Sequence, residues 1–113
     1  MTQELIDNIL CNELRDFAFP VKPVYNPRIS DNGRIVVEIK GVHKTVKRIE
    51  IGRQDGKDRR FLLDTLLHEY YEADIAINRH FSELYWNLDK ATPVQRHKWI
   101  NARIAEFFKE LEG

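Results

Sequence analysis

Apolar residues recur along this chain with two different periods, and the changes of period divide it into elements. Leu5, Ile6, Ile9, Leu10, Leu14 and Phe17 follow helical spacing, with Thr2 placed to cap the start. Pro20 ends that helix, and Pro20, Pro23 and Pro27 keep the next segment extended. Ser30-Asp31-Asn32-Gly33 is a turn signal, and residues 34–40 then read as a strand that Gly41 breaks. Residues 46–51 (VKRIEI) read as a second strand with one buried face, followed by a turn at Gln54-Asp55-Gly56-Lys57. From Asp58, a good N-cap, to about residue 90 there is neither proline nor glycine. That stretch is either one very long helix or, preferably, two helices bent near Asn78. Thr92 and Gln95 form a capping box around Pro93 and open a last helix that runs to about Leu111. The expected fold is α+β: an N-terminal helix, a sheet of two to three strands, a long or bent helix, and a C-terminal helix packed on it.

Composition narrows the function classes. A chain of 113 residues fits one domain, and no repeat or linker divides it. Eighteen basic and eighteen acidic side chains cancel, so no global field draws it to nucleic acid or a membrane. No apolar stretch approaches the ~20 residues of a membrane span. The first residues lack a basic region followed by an apolar run, so no secretory signal is expected. The lone Cys11 excludes an internal disulfide and, within a helical apolar pattern, reads as a buried thiol. A cytoplasmic location is expected.

The helix over residues 61–80 holds the pattern most like chemistry. At 100° per residue, Leu62, Leu63, Leu66, Leu67, Tyr70, Ala73 and Ile77 cover a wide apolar arc, with Tyr71 at its edge. Asp64, Thr65, His68, Glu69, Glu72 and Arg79 form a narrower polar stripe. His68 and Glu72 are one turn apart and share a face, so both could bind one metal ion. The same stripe also fits a solvated face with ordinary helix pairs.

Two strands, a turn and a helix reading Leu63-Asp64-Thr65-Leu66-Leu67-His68-Glu69 resemble the zincin metallopeptidases, in particular their minimal gluzincin forms and the small phage-type metallopeptidase domains. Thr65 to Glu69 match the Thr-Leu-x-His-Glu start of that family's active-site helix, after the strand Arg48-Ile49-Glu50-Ile51-Gly52. The likeness covers residues 33 to 80 in layout and five or six positions in identity. Where the family has a second histidine, this chain has Glu72. A carboxylate can still bind zinc, although it lowers the charge of the site and also suits manganese or iron(II). The resemblance therefore implies a metal-dependent peptidase or an inactive relative of one.

Such families draw a third ligand from a later helix. On the last helix, His97 falls within the apolar stripe of Ile100, Ile104, Phe107, Phe108 and Leu111, while Arg96, Lys98 and Arg103 fall outside it. His97 occupies the comparable place, where the family normally uses Glu; it equally suits a hydrogen-bonded histidine at the core's edge. His80 lies twelve residues beyond His68, about 18 Å along an unbroken helix, and His43 falls between the strands. The resemblance implies that His68, Glu72 and His97 hold a divalent metal, with zinc expected. It makes Glu69 the base that takes a proton from the activated water and returns it to the leaving amine. Tyr70 or Tyr71 could donate to an oxyanion, though both also read as core. The substrate would be a peptide lying along an edge strand at residues 46–51.

Two non-enzymatic readings stand beside this one. Residues 40–60 carry eight Lys or Arg against three acidic residues, and Lys44, Lys47 and Arg48 could hold phosphates. Against that, the segment has no aromatic residue for base stacking and no recognition helix. Trp99, off the apolar stripe, could anchor a protein partner or a homodimer, or pack under Tyr85 and Trp86.

Overall fold

The computed structural model describes residues 3–113, so the expected cap Thr2 lies outside the described residues. Element order is α1 (Gln3–Cys11), β1 (Val24–Tyr25), β2 (Gly33–Lys40), β3 (His43–Ile51), α2 (Arg59–Asn78), α3 (Glu83–Lys90) and α4 (Pro93–Glu112). The expected α+β class and element order hold, with three strands in the sheet.

α1 is shorter than its apolar spacing predicts. Asn12 Nδ2 donates to the Asn8 carbonyl at 2.7 Å, and the Leu14 N–H reaches the Ile9 carbonyl at 3.0 Å. The helix's last carbonyls thus find donors without another turn. Leu14 still enters the core, from a turn and not from a helix. Cys11 is exposed, contrary to the expected buried thiol. Its position, 200° around the axis from the buried Ile9, turns it away from the core.

The sheet order is β1-β3-β2. β1 runs parallel to β3 through Val24↔Glu50 and Tyr25↔Ile51, and β2 runs antiparallel to it. β3, expected as an edge strand, is therefore the central one, and the long open edge belongs to β2. Gly41, at φ 63°, makes the tight turn between β2 and β3. The register passes from Val36↔Arg48 to Val37↔Val46, so Lys47 is an extra residue on β3. This bulge lets Val46 and Ile49 point to the same side, three residues apart, and leaves Lys47 and Arg48 both outside.

α2 packs across the sheet. Ala73 joins Val46 and Ile49, while Leu62, Leu63, Leu66, Leu67 and Ile75 join Ile6, Ile9, Leu14, Ile51 and the inner face of α4 at Ile100, Ile104 and Phe108. Leu111, placed in the same stripe by its spacing, is exposed. Asp58 caps α2 through the Phe61 N–H at 3.0 Å. The chain bends after Asn78, where Ser82 caps α3, and the Thr92–Gln95 box with Pro93 then starts α4. These two turns carry α4 back along α2 and set its first turns beside the middle of that helix.

Candidate metal centre

His68 and Glu72 stack one turn apart on α2, and α4 brings His97 to them. One ligand atom from each of the three lies within 4.8 Å of the other two. The His68 and His97 rings meet edge to face, with centroids 4.5 Å apart. Two imidazoles and a carboxylate match the donor sets that hold divalent metals with a coordination position left open. Among the described residues no other group of His, Cys, Asp or Glu converges in this way.

The protonation state suits a ligand. Burial lowers the His68 pKa, His97 lowers it further, and Glu72 and Asp64 only partly offset this. The ring is therefore neutral at neutral pH, as metal binding requires. Glu72 does not stand alone: Arg96, one residue before His97, donates Nε to its Oε1 at 2.8 Å, with both side chains largely buried. Sequence reasoning placed Arg96 outside the apolar stripe and gave it no role. Only the docking of α4 on α2 brings it to Glu72.

Glu69 sits beside the cluster and is not one of its ligands. It is 7% exposed, and among the described residues no hydrogen bond or ion pair reaches its carboxyl. Burial, with Glu72 and Asp31 nearby, pushes its pKa from 4.5 to about 8. The start of β2 presses close to it: a Cβ on Gly33 would lie 3.1 Å from Glu69 Cγ and 3.0 Å from Thr65 Cγ2. Together these residues border a cavity of ≈ 340 Å³ lined by Asp31, Asn32, Gly33, Phe61, Asp64, Thr65, His68 and Glu69. Its floor is braced by Gln54, whose Nε2 donates to Thr65 Oγ1 at 3.1 Å, while that hydroxyl donates to the Phe61 carbonyl at 3.0 Å.

The other candidates fall elsewhere. Tyr70 packs edge to face against Phe17 and Phe19, and Tyr71 against Trp99, so both belong to an aromatic cluster. Trp99 also meets Tyr85 at 5.9 Å, which is the packing role expected for it. His80 lies against His43 and Trp86, with a ring nitrogen on the Val42 carbonyl. Of the basic trio, Lys44 grips both Asp89 oxygens at 2.9 Å. Arg48 lies 3.7 Å from Glu50, which Arg34 also holds, and Lys47 is exposed.

Comparison with protein-family models, curated proteins and solved structures gives no match to this chain. The side-chain geometry thus carries the functional argument. It defines an α+β fold with a His68-Glu72-His97 cluster that could bind a metal.

Proposed function

We propose that this chain is a divergent zincin-like, metal-dependent peptidase, with His68, Glu72 and His97 as ligands of a zinc ion and Glu69 as general base. The observation that supports this most is the arrival of His97 from α4 at the His68–Glu72 pair, with Glu69 beside the cluster but outside it. The likeness of Thr65–Glu69 to the zincin helix start points the same way. A bound divalent cation would supply Lewis acidity toward water and a peptide carbonyl.

The chain's own residues account for the remaining roles. Glu69 takes one proton from water, the water oxygen bonds to the scissile carbonyl carbon, and the proton passes to the leaving nitrogen as the C–N bond breaks. In the free site burial keeps Glu69 protonated up to about pH 8; a divalent cation held beside it would favour the ionised carboxylate, the form that can accept the proton. Arg96 orients Glu72 and offsets its charge. The substrate strand would lie along the open edge of β2, whose first residue, Gly33, approaches Glu69.

A second reading has its own support. The Arg96–Glu72 bond satisfies that carboxylate without any ion, as expected of an inactive relative that serves as an interaction domain. Zinc-loaded protein assayed on casein and mixed peptides separates the two. The peptidase reading expects cleavage that Glu69→Gln abolishes while zinc content stays unchanged. Zinc binding without cleavage, indifferent to Glu69→Gln, would leave only the metal site.

A further inference from the structure

The two edges of the sheet are finished differently. At β1 the Gln3 side chain stands in for a further strand. Its Oε1 accepts from the Tyr25 N–H at 2.7 Å, and its Nε2 donates to the Pro23 carbonyl at 3.0 Å. Among the described residues β2 has no such cover. It runs eight residues without proline, and the extra residue of the bulge lies on β3. Its row on the α2 side, Ile35, Val37 and Ile39, carries no charge, and Val37 and Ile39 are 37% and 62% exposed. Edges are normally blunted by proline, a bulge or an inward charge.

Hydrogen-bond phase and charge together specify what fits this edge. The Gly52 N–H donates to the Asn32 carbonyl at 2.9 Å, so the even-numbered residues of β2 bond to β3. The backbone groups of Gly33, Ile35, Val37 and Ile39 therefore point outward. A second copy of β2 running antiparallel can oppose these groups when the two-fold axis passes through a residue. Centring on Val37 sets Arg34 against Lys40, and centring on Glu38 sets two carboxylates together. Centring on Ile35 gives neither charge a partner within the strand. Centring on Val36 sets Arg34 opposite Glu38 twice, with Ile35 opposite Val37 and Ile39 opposite Gly33. Arg34 holds Glu50 at 2.9 Å and Glu38 lies 3.7 Å from Lys40, yet their side chains are 46% and 43% exposed, so both can reach across.

We infer that β2 is a self-association edge: two copies of this chain pair their β2 strands antiparallel, centred on Val36, into one six-stranded sheet. Exposed Val37 and Ile39 gain cross-strand neighbours, and two Arg34–Glu38 pairs fix the register. Pairing over Gly33–Ile39 covers less than the ~1,200 Å² of a stable interface, so the dimer dissociates on dilution. The dimer does not rest on the peptidase reading. Its consequence does: the second copy occupies the edge assigned above to substrate, so dimerisation holds the peptidase inactive.

Analytical ultracentrifugation of the full chain from about 10 µM to about 1 mM is expected to show monomers giving way to dimers. Glu38→Arg should weaken the dimer at least about tenfold, because two attractive pairs become repulsive. Mixing it with Arg34→Glu should restore dimers, since each chain then meets opposite charges on the other. Register is read in a Cys11→Ser background. Val36→Cys meets its own copy with Cα atoms about 4.5 Å apart, within disulfide reach. Glu38→Cys stands about 14 Å along the strand from its copy. Oxidised glutathione should cross-link the first and not the second, whether or not Arg34→Glu folds. A chain that stays monomeric at the highest concentration, a dimer indifferent to Glu38→Arg, or equal cross-linking at both positions overturns the inference. A monomer whose β2 amides shift with an extended peptide assigns the edge to substrate instead. Cleavage per chain by zinc-loaded protein should rise on dilution through the dimer range. Cleavage indifferent to that dilution overturns the inactive dimer, and dimers without cleavage at any concentration leave self-association and overturn the peptidase.

Discussion

Replacing Glu69 by Gln in metal-free protein should make the fold more stable, by an amount that grows with pH. The folded state holds the Glu69 proton up to about pH 8, whereas the unfolded chain releases it near 4.5. Between those values the folded state binds more protons than the unfolded one, so stability falls as pH rises. Below pH 4.5 both states are protonated and the group contributes nothing. At 1.36 kcal/mol per pH unit, keeping the carboxyl in its buried site costs about 3 kcal/mol at pH 7 and about 5 kcal/mol above pH 8. Gln keeps the shape and cannot ionise, so it removes the penalty. For a chain of this size, 3 kcal/mol corresponds to a rise in Tm of about 10 °C. Thermal or urea unfolding of both proteins in EDTA, at intervals from pH 4.5 to 8.5, measures the difference. Any packing cost of the amide adds a constant offset, so the slope against pH is the diagnostic quantity. A stability difference that stays flat across this range would refute the reasoning.

Three further outcomes follow from the same structure. Gly52→Ala should destabilise the fold by about 3 kcal/mol or more in urea unfolding, because its Cβ would lie 2.2 Å from the Asp31 carbonyl oxygen, a backbone atom that cannot swing aside. Asp89→Ala should cost about 3 kcal/mol by the same measurement, since it strands the largely buried Lys44 and Arg79, both bonded to Asp89 at 2.9 Å. Burial raises the Asp89 pKa, but the hydrogen bonds from Lys44 and Arg79 outweigh it and hold the carboxyl below its usual range. That stabilisation is therefore present above about pH 4 and is lost as pH falls further, so the cost of Asp89→Ala should shrink in acid.

Much of this architecture was legible in the sequence, for local reasons. Asp58, Thr92, Pro93 and Gln95 act through bonds within four residues, so their caps could be read directly. The helical period put His68 and Glu72 on one face, and the apolar stripe of α4 placed His97 on the side that meets them. What could not be read depends on contacts between distant segments. Arg96 reaches Glu72 only because of how α4 lies on α2. Gly33 looked like a turn residue, yet its effect is the close approach of β2 to Glu69. β1 is two residues long and pairs in parallel with the end of β3, which made the central strand look like an edge. The bulge at Lys47 shifts the phase of β3 and leaves no trace in composition. α1 ends early because Asn12 and Leu14 supply donors to its last turn, while the apolar spacing continues through Leu14 and Phe17.

The function proposed for this chain depends on His68, Glu72 and His97 forming one metal site across two helices. Zinc titration of EDTA-treated, dialysed protein by calorimetry, with metal content checked by mass spectrometry, tests it most directly. About one zinc per chain is expected, with affinity reduced at least about a hundredfold in His97→Ala and in His68→Ala while both variants stay folded. Substoichiometric zinc, or affinity unchanged when His97 is removed, would contradict it.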